Sequence, residues 1–350
     1  IHAGGFVGWG EAGSPHPKIL YKVAKYYASK LIGKDPLLLD SLLTSKLFDL
    51  FDVDFFSFGR NTINRVIREG LSIALYDLVG KIKGVNVSKL ISEVKRDIIP
   101  GKPVVHLLSK DKMVEISNEW VEKGFRYLKL KLGTNPKSDA EIVGAIREKI
   151  GLDIGIHIDL NKGYALKSEV FEFSRLIDDY QVDIIEDPIN GSINDYKEIK
   201  EHISQDLMCD TFAWWPKVKK LASKKICKVI NHHPNYQGGI DIAVKINEIA
   251  VNAGMRTCIG SSGNFGIQNT AFQCLSSVIA CESPCEDIGM VPYFEDFKSH
   301  QYKIHGEINL INGGNKLVNG NIELSNNPGL GIEVEQEFLK KNSAILIELK

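Results

Sequence analysis

Two lysines and three acids divide the middle of this chain into near-equal steps. Lys129 and Lys131 stand in YLKLKLG, Asp159 in IHIDLN, Glu186 in IIEDPI and Asp210 in LMCDTF. From Lys131 the steps are 28, 27 and 24 residues, and each group closes a short apolar, β-like run. One strand-helix unit of a (β/α)8 barrel is about 30 residues long, so the spacing sets these groups at the C-terminal ends of four successive strands. Barrel enzymes keep their active sites on that face. Three acidic side chains converging there need a cation to hold them together. Two lysines beside them can act on whatever the cation binds.

The remaining sequence fits around that frame. Its 350 residues suit a barrel plus a companion domain. Residues 1–95 mix a Gly-rich, β-like start with helical patterns, the strongest being Asn61 to Ile82, and read as an N-terminal α+β capping domain. The opening, IHAGGFVGWGEAG, reads as the middle of a strand-turn-strand, so a preceding segment is expected. From residue 96 to 299, strand-like runs alternate with helix-like stretches, which is the pattern of βαβ units and a parallel sheet. The strands are expected at Val104–Leu108, Tyr127–Leu132, Gly155–Asp159, Asp183–Asp187, Leu207–Asp210, Lys228–His232, Arg256–Gly260 and Pro284–Gly289. Residues 300–350 lose the alternation and are expected to return to the capping domain.

Composition excludes several classes. A net charge of −1 and a pI near 6.8 offer no field for nucleic acid or anionic membrane. No apolar run reaches the roughly 18 residues that span a bilayer. The six cysteines lack paired CxxC spacing, so they read as buried, reduced thiols of a cytoplasmic protein.

Taken in order, the motifs resemble the enolase superfamily, in its mandelate racemase / muconate-lactonizing enzyme group. Gly8-Trp9-Gly10-Glu11-Ala12 resembles a capping-domain strand, and Ala74 to Lys81 (ALYDLVGK) a helix end of the same domain. Lys129-Leu130-Lys131 matches the KxK of the second barrel strand, Asp159-Leu160-Asn161 the DxN of the third and Glu186-Asp187-Pro188 the E[DQ]P of the fourth. Asp210 matches the fifth-strand acid, Gly238-Gly239-Ile240 the GGI after the sixth strand, and Pro328 to Gly331 the PGLG near the C-terminus. The resemblance implies a modified TIM barrel with an N-terminal α+β cap completed by the C-terminal segment. It also implies self-association and a Mg2+ site, with Mn2+ as a substitute. A small carboxylate substrate would lose its α-proton to a base while the metal stabilises the resulting enediolate.

On that reading Asp159, Glu186 and Asp210 are the metal ligands, an all-oxygen set suited to Mg2+. The parity of the strand points Asp187 away from Glu186. Lys131 is the general base and Lys129 binds the substrate carboxylate. A lysine acts as a base only when neutral, a form that the metal and Lys129 both favour. His233 stands where relatives carry a lysine or the aspartate of a His-Asp dyad, and is expected as a second acid/base group. Neighbouring His232 leaves the register open, because a one-residue slip exchanges their faces. The seventh strand carries neither the dyad histidine nor the glutamate of relatives, having Ser262 and Asn264 instead. Asn161, Asn231, His232, Asn235, His106, Ser262 and Asn264 could read substrate hydroxyls, Trp214 could wall the pocket, and Glu286 could meet a substrate cation. The leading expectation is dehydration of a sugar acid to a 2-keto-3-deoxy acid. The alternatives are a racemase, epimerase or cycloisomerase, and a non-catalytic carboxylate-binding member.

Overall fold

The computed structural model describes residues 1–13, 17–45, 60–210, 217–260, 264–279 and 311–342. Strands β1 (His2–Ala3) and β2 (Phe6–Val7) form an antiparallel hairpin. Helices α1 (Pro17–Leu31), α2 (Leu39–Leu43), α3 (Arg60–Lys83) and α4 (Val87–Ile91) follow, and then strand β3 (Ile98–Pro100). Next come β4 (Val104–Val105), α5 (Lys110–Glu122), β5 (Tyr127–Lys131), α6 (Pro136–Ile150), β6 (Gly155–Asp159) and α7 (Lys167–Leu176). The alternation continues with β7 (Ile184–Glu186), α8 (Ile193–His202), β8 (Asp206–Cys209), α9 (Lys217–Lys224) and β9 (Val229–His232). Helices α10 (Pro234–Gln237) and α11 (Ile240–Asn252), strand β10 (Arg256–Ile259) and helix α12 (Gly266–Val278) close this part. The last elements are β11 (Ile311–Gly313), β12 (Lys316–Val318), β13 (Asn321–Glu323), β14 (Ile332–Val334) and α13 (Gln336–Asn342).

Strands β4 to β10 pair in parallel and in chain order, giving the curled α/β sheet that the spacing predicts. The strand expected at 284–289 lies outside the described residues. Alternation sorts the side chains of this sheet. Leu128, Leu130, Ile156, Ile158 and Ile185 pack outward against Val143, Ile146, Val170 and Phe173 of the helices. A smaller apolar cluster, Ile184, Met208, Val229 and Cys258, lies on the other parity of β7 to β10. The polar residues on that second parity form the candidate site.

Local chemistry fixes the loop that follows β5. Asn135 caps α6 by accepting from the Lys137 and Ser138 amides, Pro136 opens the helix, and Gly151 ends it at a φ of 80°. Buried Asp139 accepts from the Gly133, Thr134 and Asn135 amides and from the Tyr164 hydroxyl. That one carboxylate ties the loop after Lys131 to the loop after Asp159.

Another carboxylate explains three separated motifs. Asp77 of α3 is fully buried, and its Oδ2 accepts from the Trp9 amide at 2.8 Å and from Lys81 Nζ at 2.6 Å. Its Oδ1 accepts from the Leu330 amide at 2.8 Å. The GWGEA, ALYDLVGK and PGLG stretches therefore meet at one acid. Strand β13 also pairs with β3. On the barrel side, Glu11 accepts from the Phe265 and Gln268 amides at 2.6 and 3.0 Å and so caps the start of α12. Cys209, Cys227, Cys258 and Cys274 are buried and free, while Cys281 and Cys285 lie outside the described residues.

Candidate active site

Register brings the charged groups together. Lys131 pairs with Asp159 across β5 and β6, and Asp159 pairs with Glu186 across β6 and β7. Lys129 Nζ lies 2.9 Å from Asp159 Oδ2 and 2.6 Å from Glu186 Oε2. Lys131 Nζ lies 2.6 Å from the same Asp159 oxygen and 3.1 Å from Asn161 Oδ1. Asn161 holds a φ of 44°, a left-handed conformation that asparagine tolerates better than most residues. The turn carries its amide back to Asp159 Oδ1 at 2.9 Å.

Glu186 is only 1% exposed, so its charge needs partners. Besides Lys129, it has His157 Nε2 at 2.8 Å from Oε2 and accepts from Asn231 Nδ2 at 2.7 Å on Oε1. Buried Lys102 stands behind this group, with Nζ 3.0 Å from His157 Nδ1. Sequence reasoning missed both His157 and Lys102. His157 was within reach, since it lies two residues before Asp159 and so shares its face. Lys102 precedes its strand and carried no such signal.

The opposite side, on β8 to β10, is less charged. The Asp210 side chain is 40% exposed, and its Oδ1 lies 3.4 Å from His233 Nε2. Asn231 reaches Glu186, so two residues on His233 shares its parity and His232 does not. His232 is wholly buried, and burial, with His233 adding to it, pushes its imidazole down to about 3. The structure therefore brings His233 to the site and leaves His232, expected as a substrate contact, on the other face. Gly260 belongs to the site through its lack of a side chain. A Cβ there would collide with His233 Nε2 and approach Asn231 Oδ1 to 2.5 Å.

Asp187 turns away, as parity predicts. Its Oδ1 accepts from the Asp210 amide at 3.1 Å and from the Tyr196 hydroxyl at 3.3 Å, so it places Asp210. Asn235 and Asn264 are buried, and Asn235 Oδ1 and Asn264 Nδ2 have no hydrogen-bond partner among the described residues. Burial, and then the charge of Lys131, pushes His106 down to about 4. Ser262, Trp214 and Glu286 lie outside the described residues.

Asp159 and Glu186 converge on one ammonium, whereas Asp210 is turned toward His233. Among the described residues, no group of three or more His, Cys, Asp or Glu side chains is gathered at metal-binding distance. The expected triad is thus two acids together and a third beside them, because lysines supply the positive charge at the first two. The donors are nonetheless all carboxylate oxygens on successive strand ends, the chemistry that suits a hard divalent ion.

The sequence profile described as Enolase C-terminal domain-like matches residues 112–338, more than half of the chain. The chain belongs to the enolase superfamily. Within it the chain falls in the mandelate racemase / muconate-lactonizing group. The o-succinylbenzoate synthase of Bacillus subtilis is 27% identical over 289 residues, covering 81% of this chain and 72% of that protein. The N-succinyl-L-Arg/Lys racemase of Bacillus cereus is 24% identical over 348 residues, covering 96% and 87%. Its crystal structure superposes with a TM-score of 0.82 at 22% identity, over 98% of this chain and 89% of that one. Other relatives include dipeptide epimerases, a galactarolactone cycloisomerase and an arabinonate dehydratase. The barrel-and-cap architecture is that of this superfamily, whose members generally depend on Mg2+. The chain is an enzyme of this kind, similar to proteins that act on small carboxylates. Among the described residues no helix is long and apolar enough to cross a membrane.

Proposed function

We propose that this enolase-superfamily enzyme removes the α-proton of a small carboxylate at Lys131 Nζ, and that the outcome is dehydration of a sugar acid. The observation that carries the first half is Lys131 on the inner face of β5, its Nζ against Asp159 and Asn161 at the strand ends. Asp159, Glu186 and Asp210 would hold Mg2+. When bound, that ion would polarise the substrate carboxylate and lower the barrier to loss of the neighbouring proton. Lys129, on the same face, would bind the substrate carboxylate.

His233 then supplies the second group. As the C–H electron pair moves toward the carboxylate, the proton stays on Lys131. As the β-carbon–oxygen bond breaks, the departing hydroxide takes a proton from His233 and leaves as water. The resulting enol tautomerises to the 2-keto-3-deoxy acid. The polar lining supports a hydroxylated substrate: buried Asn231, Asn235 and Asn264, with Asn161 at the turn, offer amide donors and acceptors. Epimerisation is the second reading, supported by the racemase and epimerase relatives. There His233 would return a proton to the opposite face of the same carbon.

Residues 1–95, with 300–350, would form the cap over this mouth. Proton NMR in D2O with Mg2+, run against pooled sugar acids, hydroxy acids, amino acids and dipeptides, tests the proposal. New 3-deoxy methylene signals are expected. Loss of an α-proton signal with the skeleton intact would replace dehydration by epimerisation. No exchange in any pool, with metal binding confirmed, would overturn both.

A further inference from the structure

His233 is carried by a segment too short to hold itself in place. It opens α10, a helix of four residues, and its carbonyl accepts from the Tyr236 and Gln237 amides at 3.0 and 3.2 Å. Its ring lies 6.0 Å from the Tyr236 ring, centroid to centroid. Gly238 and Gly239 follow at φ 103° and 119°. One helical turn gains little from its own hydrogen bonds, so its orientation is set from outside.

The outside contact is α3 of the cap. Arg65 Nη1 donates to the Tyr236 carbonyl at 3.1 Å. Buried Arg68 forks onto Asp241 at the start of α11, with Nη1 to Oδ1 at 2.9 Å and Nη2 to Oδ2 at 2.8 Å. The same guanidinium donates to the Gly238 carbonyl, and to the Leu43 carbonyl of α2 at 3.0 Å. Gly239 lets α3 approach, since a Cβ there would lie 2.8 Å from Ser72 Cβ. Guanidinium donors are planar and fixed in direction, so a buried fork of this kind sets orientation as well as distance.

We infer that Arg65 and Arg68 are positioning residues for His233, and that Arg68 ties α2 of the cap to the loop that carries it. The backbone between the clamped carbonyls and His233 is one turn long, so movement of α2 or α3 moves the imidazole. Lys131, on β5, is outside this linkage. The cap would thereby set the second half of the reaction and leave the first half alone. The kinetic part of this inference rests on the proposed function; the positioning part does not.

The test uses full-length protein labelled with 15N-histidine, saturated with Mg2+. The His233 imidazole signals are assigned by their loss in His233→Asn, and those of His157 by their loss in His157→Gln. In Arg68→Lys and in Arg65→Met the His233 signals should shift while those of His157, beside Glu186, stay in place. Mn2+ affinity, probed with the metal alone, should change less than about threefold, well below the 10–100-fold that disturbed ligand support causes. With any sugar acid that exchanges in D2O, α-proton exchange should persist while product formation falls about 100-fold, the cost of displacing a catalytic group by roughly 1 Å. His233 signals that do not move, or His233 and His157 signals that move together, would overturn the inference. Should Arg68→Lys fail to fold, Arg65→Met leaves the Arg68–Asp241 fork intact and is read the same two ways. Unaltered exchange in Lys131→Ala would instead sink the proposed function and leave the positioning result standing.

Discussion

The two sides of the barrel mouth are built on different principles. On β5 to β7, Lys129, Lys131, Asp159 and Glu186 hold one another at 2.6–2.9 Å, with His157 and Asn231 completing the acid's contacts. On β8 to β10, Asp210 and His233 meet at 3.4 Å, Asp210 is partly exposed, and position is decided by sterics at Gly260 and by the cap. The first side is fixed by charge and resists change, because removing one partner strands another in a dry site. The second side is held by shape and backbone contacts. It is also where the family resemblance leads one to expect a lysine or an aspartate and the sequence has His233. On the proposed function, the charged side would carry proton removal and the looser side the step that follows it.

Lys131→Ala should give the largest effect. Exchange of the substrate α-proton in D2O should fall by at least about 10³-fold, in the range of general-base removal, while the fold is kept because Lys129 still pairs with Asp159. Persistent exchange would assign the base to the other side and invert the comparison. Chelation of divalent ions should abolish turnover, with recovery on adding Mg2+ or Mn2+; turnover that survives dialysis against chelator would remove the acids from the ligand role.

His233→Asn should come next, lowering product formation by about 10²-fold while exchange at Lys131 continues, as expected for loss of one acid/base group. Gly260→Ala should mimic it more weakly, about tenfold, by pushing the imidazole aside, since small misplacements of catalytic groups cost rate. A Gly260→Ala enzyme with wild-type rates would show that the second side tolerates displacement.

The smallest effect concerns stability. His232 sits near 3 in the folded protein against 6.5 for a free histidine, so between those values the unfolded chain binds the extra proton. Its contribution is complete above about pH 6.5 and declines as pH falls toward 3. Urea midpoints at pH 7.5 and 5 should differ less in His232→Gln than in wild type. An equal difference in the two proteins would show that His232 is not held neutral.

Much of the first side was readable in the sequence, because one strand per unit and one acid per strand end convert spacing into geometry. Period-two alternation alone placed Lys129 with Lys131 and turned Asp187 away. His157 was missed although the same rule points to it, since a histidine two residues before an acid carries no motif. The second side was less readable. Choosing between His232 and His233 requires knowing which face of β9 turns inward, which the Asn231–Glu186 contact supplies. The roles of Arg65 and Arg68 depend on contacts with Tyr236 and Gly238, 171 and 170 residues away, and that of Gly260 on side chains at the end of the neighbouring strand; no local pattern encodes either. The separate positions of Asp210 and the two other acids also follow from side-chain partners and not from spacing.

Glu11 also sets a timetable. Its carboxylate caps the amides of Phe265 and Gln268, 254 and 257 residues further on, and Asp77 waits for Leu330 across 253. At about 5–20 residues per second, a ribosome needs roughly 10–50 s to deliver those partners. Over that interval α3 is made but cannot seat its buried acids, and its apolar face has no barrel to rest on. The cap is thus begun before the barrel and completed after most of it. In a growing cell, the burden on chaperones should fall on the cap and not on the barrel.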